Sequence, residues 1–93
     1  MNREDVKKKI LELLYYVESD LYLLYVEGNE SDQALHNISL ADDLNLNAFD
    51  VADLAVDIRR IFNIRIGGDI TTCETVGELI SFVINEIKKD AAK

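Results

Sequence analysis

From Asn47 to Phe62 the apolar residues return at intervals of three and four: Phe49, Ala52, Leu54/Ala55, Ile58, Ile61 and Phe62. A helix turns residues so spaced onto one face, because 3.6 residues complete a turn; a strand would need alternation at every second position. The start of the segment agrees. Asn47 is a favoured N-cap, and Asp50, three residues on, sets a carboxylate at the positive helix end. The pattern predicts a helix running to about Phe62 and giving way at Asn63. With no proline and four glycines in 93 residues, the chain suits a helical fold with few tight turns.

The same rhythm governs the flanks. Val6, Ile10, Leu13, Val17, Leu21 and Leu24 form a four-three stripe, widened by Leu11, Leu14 and Tyr25. One helix is expected from about Asn2 to Val26, with Ser19-Asp20 as the place for a bend or for the cap of a second short helix. Gly28-Asn29 ends it. Tyr15, Tyr16, Tyr22 and Tyr25 crowd this helix, as an added docking surface or as the wetted side of a long helix. Residues 27–38 are polar and read as a surface loop, with His36 in solvent and too isolated for a metal site. Leu40 and Leu44 are expected to anchor the next segment on the core. After Gly67-Gly68, the β-branched residues around Ile70 leave room for at most a turn of irregular helix. Thr75-Val76-Gly77-Glu78 is a capping box. It opens a last helix with Val76, Leu79, Ile80, Val83, Ile84 and Ile87 inward, Lys88 and Lys89 near its C-terminus, and a frayed tail over residues 90–93.

One domain with a single core follows from the length. The formal net charge is −8, and no lysine or arginine occurs from Ile10 to Ile58. Nucleic acid is thereby excluded as a partner, since backbone binding needs clustered cations. A basic protein surface fits better. A lone cysteine, Cys73, permits no internal disulfide and reads as a small buried hydrophobe. The charged N-terminus lacks the apolar run of a signal peptide, and no stretch is long and apolar enough to span a membrane. A monomeric cytoplasmic protein is expected.

From Asp43 to Ile66 the chain resembles the centre of acyl carrier proteins. That family reads Asp-Leu-Gly-x-Asp-Ser-Leu-Asp-x-x-Glu-Leu, followed by a helix ending in Phe-Asp/Asn-x-x-Ile. Asp43-Leu44, Asp50, Asp53-Leu54, Ile58, Phe62-Asn63 and Ile66 fall in register without a gap. Thr75-Val76-Gly77-Glu78 matches the family's Thr-Val-Gly-Asp/Glu. Asn45 replaces the glycine, Asn47 the aspartate, and Phe49 the leucine. Ala48 stands where the family has its serine.

The resemblance implies an all-α fold: an acyl-carrier-like bundle of three major helices plus one short or irregular helix, here with the first helix extended. It also implies the chemistry. The family's serine hydroxyl forms a phosphodiester with 4′-phosphopantetheine at a helix N-terminus, which favours the phosphate. The thiol of that arm holds acyl groups as thioesters for partner enzymes, among them those of fatty acid biosynthesis. Alanine has no oxygen, so the arm has no attachment at Ala48. Either a serine was replaced to keep the protein unmodified, or the chain is a natural member without the attachment. The first makes it a specialised acyl carrier protein in arm-less form; the second, a structural or regulatory interaction protein. Partners implied are a phosphopantetheinyl transferase and acyl-transfer or condensing enzymes, docking on Asp50, Asp53, Asp57, Arg59 and Arg60. Arg59 and Arg60 stand where acidic residues are usual, a charge reversal that should repel standard fatty-acid-synthesis enzymes. Ala52, Ala55, Ile58, Ile70 and Cys73 would line a space for the acyl chain. No nucleophile–base pair, phosphate loop or metal cluster is evident in the sequence, so an enzyme is not expected.

Overall fold

The structure, a computed structural model, describes residues 2–91. Five α-helices and one 3-10 helix follow in order: α1 Arg3–Val17, α2 Ser19–Tyr25, α3 Asp32–Leu35, α4 Ala48–Phe62, the 3-10 helix Gly68–Thr72, and α5 Val76–Ala91. The architecture is all-helical, and among the described residues the only β pairing is an isolated antiparallel bridge between Ser39 and Thr75. Among the described residues no helix is long and apolar enough to cross a membrane.

Three long helices and a short irregular one are present, as the sequence predicts, but the first helix does not continue unbroken. Glu18 leaves the helical region at φ −144° and ψ 70°. The hydrogen bonds on either side survive, from Glu18 N to Leu14 O at 3.0 Å and from Tyr22 N to Glu18 O at 2.9 Å. One residue therefore turns the register without unravelling the chain. Before it the buried face is Val6, Ile10, Leu11 and Leu14, with Leu13 half-buried and Val17 exposed against the expected stripe; beyond it Tyr22 and Val26 are buried, Leu21 packs half-buried against the core, and Leu24 is exposed. Ser19 starts α2, and no side chain caps that helix.

The segment expected to be a plain surface loop contains α3, whose N-cap Ser31 Oγ accepts from Ala34 N at 3.2 Å. Leu35 of this helix and Ile38 after it are buried. Arg3 and Lys7 approach the Asp32 carboxylate at 3.4 and 3.7 Å. These contacts and the packing of α3 on α5 fold the polar segment back over the bundle. α1 packs on α2 and α5, and α4 on the 3-10 helix.

The helix ends follow local chemistry. Asn2 caps α1 through Asp5 N at 2.9 Å. Asn63 ends α4 with φ 54°, in the left-handed region that asparagine tolerates better than most side chains. At α5 the capping box is formed: Thr75 Oγ1 accepts from Glu78 N at 3.1 Å, and Glu78 Oε2 accepts from Glu74 N at 2.6 Å and Thr75 N at 3.3 Å. Asp90 and Ala91 are still helical, against the fraying expected of the tail; its last two residues lie outside those described. The core is wholly apolar, with no buried polar or charged residue among those described.

Candidate functional site

The start of α4 is held in place from both sides. Asn47 Oδ1 accepts from Asp50 N at 2.9 Å, and Asp50 Oδ2 accepts from Asn47 N at 3.0 Å, a complete capping box. Upstream, Ser39 N donates to Asp43 Oδ2 at 2.8 Å, while Ser39 O accepts from both Asp43 N and Leu44 N at 3.1 Å. Leu46 N closes the turn onto Leu40 O at 2.8 Å. Leu40, Leu44 and Leu46 are all buried, so the loop is pinned by three leucines and one Ser–Asp knot. Asn45 takes φ 55° within this turn.

That scaffold sets Ala48 as the first residue of α4, exposed to solvent. It lies on the wall of a cleft of about 360 Å³ between the residue 39–47 loop and the 3-10 segment. Leu40, Leu46 and Val51 supply apolar lining; Asp42, Asn47, Thr71, Cys73 and Glu74 line the rest. The Ala48 side chain is a methyl, so it offers a phosphopantetheine group no atom for a phosphodiester. Ser31 and Ser39 Oγ are engaged in capping Ala34 N and Asp42 N, and no serine lies at the start of α4. The residues present do not fit covalent attachment of the arm.

The buried face of α4 is Val51, Leu54, Ala55 and Ile58, with Phe62 packed beside it. This corrects the expected stripe. Phe49 is 82% exposed, and Ile61 also faces solvent. Phe49 and Val51 are two residues apart, about 200° around a helix, so only one of them can face the core. Ala52 is likewise exposed and cannot line an interior space for an acyl chain. Of the other residues proposed for such a space, Ala55, Ile58 and Ile70 are in the core, and Cys73 is half-buried.

The outer face of α4 carries Phe49, Ala52, Asp53, Val56, Arg59 and Arg60, all exposed, with Asp57 half-buried at its edge. Asp50 is engaged in the cap. Among the described residues Asp53, Asp57, Arg59 and Arg60 form no ion pair within the chain. The face is mixed: three apolar side chains, Phe49, Ala52 and Val56, with acidic residues through the middle and two arginines towards the C-terminal end.

No base stands near Cys73 in the sequence, yet His36 lines the same shallow cleft with Cys73, Glu78 and Ser81. The two residues are 37 positions apart, and only the return of α3 onto α5 brings them together. His36 is exposed, as expected, but its ring lies over the α-carbon of Gly77. His36 Nδ1 contacts Asp32 O at 2.8 Å; since a carbonyl only accepts, Nδ1 carries the proton. The cleft does not activate the thiol. Burial, and then the Glu78 carboxylate, push Cys73 up to about 11, so it is a protonated thiol at neutral pH.

Compared with protein-family models, curated proteins and solved structures, the chain matches none of them.

Proposed function

We propose that this chain is an acyl-carrier-type domain in an arm-less form, a cytoplasmic, monomeric, non-catalytic protein that docks partner enzymes through the outer face of α4. With a serine in place of Ala48 it would hold acyl groups as thioesters on a 4′-phosphopantetheine arm. The observation that carries the proposal is Ala48: an exposed first residue of a capped helix, on the wall of a cleft. Two backbone conformations support the register. Asn45, at the place of the family's glycine, takes φ 55°, which glycine and asparagine tolerate. Asn63, at the family's Asp/Asn, takes the left-handed C-cap.

Phe49, Asp53, Val56, Arg59 and Arg60 form the surface offered to partners. The two arginines would repel an enzyme whose docking site is built from lysine and arginine, and favour a dedicated partner with acidic groups at that end. A second reading, an interaction protein that keeps the scaffold without the arm, is favoured by Ala48 itself.

Ala48→Ser decides between them. Serine is tolerated at the first turn of a helix, so the fold should survive, as circular dichroism would report. With coenzyme A and several phosphopantetheinyl transferases, the variant should gain the mass of one arm, while the Ala48 protein gains nothing. A folded variant inert to every transferase favours the interaction protein. Modification of the Ala48 protein would overturn the register.

A further inference from the structure

Nine large apolar side chains are exposed among the described residues, and six of them lie within eleven positions: Tyr15, Tyr16, Val17, Leu23, Leu24 and Tyr25. Tyr16 is 85% exposed and Leu24 66%. The cause is the composition of α2. After Ser19 and Asp20, its residues Leu21 to Tyr25 are apolar all round the helix, the pattern of one buried on every side. Only Tyr22 of that helix is buried. The break at Glu18 commits one side of α2 to the core and leaves the rest without cover. An apolar concentration of this kind on a small domain marks a contact surface.

The charges around it say what kind. Glu12, Glu18, Asp20 and Glu27 are interleaved with the apolar residues, and no lysine or arginine occurs from Ile10 to Ile58. Glu12, Glu27 and Glu30 come close enough to the Tyr22 hydroxyl to raise its pKa, and Glu12 and Glu30 share the cleft beside Tyr22 with Lys7 and Lys8. The Tyr15 ring meets the Tyr22 ring edge-on at 5.4 Å, which fixes the aromatic part of the surface to the core. The patch lies on helices whose backbone groups are already paired, so an added strand finds no edge there.

We infer that the end of α1 together with α2 is a second docking surface, independent of α4 and of the carrier reading, for a basic amphipathic helix of a partner protein. Such a helix presents apolar side chains at three-four spacing with cations beside them, matching apolar residues flanked by carboxylates. A second copy would bring like-charged carboxylates face to face, at −8 per chain. An anionic membrane surface would be repelled by the same groups.

The probe is a peptide of about 18 residues of leucine and lysine, long enough for five helical turns, with leucines at three-four spacing. Its controls are a scrambled peptide of the same composition and a leucine–glutamate peptide of the same pattern. Titrated into the full chain, the patterned basic peptide should bind at least tenfold tighter than either control, and weaken as salt rises. Tyr16→Gln and Leu24→Gln, both at exposed positions, should each weaken binding at least fivefold with an unchanged circular dichroism spectrum. Phe49→Gln, on α4, should leave it unchanged. Equal binding of the scrambled peptide, or loss only with Phe49→Gln, would overturn the inference. So would a Leu24-dependent dimer in sedimentation, or Leu24-dependent binding to phosphatidylserine vesicles.

Discussion

Gly77 offers a test in which one substitution should change sign with its background. It is the second residue of α5, where alanine should ordinarily stabilise a helix by about 0.5–1 kcal/mol over glycine. The His36 ring occupies the space a side chain needs. A Cβ at position 77 would stand 2.5 Å from Cγ and 2.6 Å from Cε1 of that ring, against the roughly 3.5–4.0 Å at which carbon atoms rest in contact. Gly77→Ala must expel the ring and break the His36 Nδ1–H to Asp32 O bond, a loss of about 0.5–1.5 kcal/mol, together with the ring's packing on α5. We expect the balance to favour the loss. Stability should fall by about 1 kcal/mol, or roughly 4–8 °C in Tm for a domain of this size. In a His36→Ala background the space is open, and the same substitution should stabilise by about 0.5 kcal/mol. The coupling of about 1.5 kcal/mol is within reach of a double-mutant cycle, measured by urea unfolding followed by far-UV circular dichroism. A rise in stability on Gly77→Ala with His36 present would refute the packing of α3 against α5.

Two further measurements address the start of α4 and the buried tyrosine of α2. Asn47→Ala leaves Asp50 N without its 2.9 Å acceptor and should cost about 1 kcal/mol, with Asn47→Ser close to neutral; equal losses in both would place the effect outside the cap. Burial, then the Glu30 carboxylate that accepts from its hydroxyl at 3.3 Å, push Tyr22 up from 10.0 to about 12. The fold favours the neutral phenol, so this contribution is complete below pH 10 and is lost as pH rises from 10 to about 12. The native protein should lose roughly 1–2 kcal/mol more than Tyr22→Phe across that window, and parallel pH profiles would show the hydroxyl to be fully solvated.

Local chemistry alone determined the parts of this fold that a few neighbouring residues can decide. The Asn47 N-cap, the Thr75–Glu78 box, the stop at Asn63 and the irregular turn at Ile70 all stand where the sequence puts them, because each is closed by hydrogen bonds or torsional limits between close neighbours in the chain. Tertiary structure decided the questions on which local chemistry is neutral. α4 offers two apolar stripes, one through Phe49, Ala52 and Val56 and one through Val51, Leu54, Ala55 and Ile58; the second is buried because α4 meets its neighbours along it. The break falls at Glu18, beside the Ser19-Asp20 pair where the sequence allows a bend; which residues of α2 it then buries, Tyr22 and not Leu24, is decided by contacts with the core. His36 meets Gly77 and Cys73 only because the polar segment folds back through Leu35 and Ile38. Spacing fixes what faces a common side within one helix, whereas which side is buried is set by contacts between residues far apart in the chain.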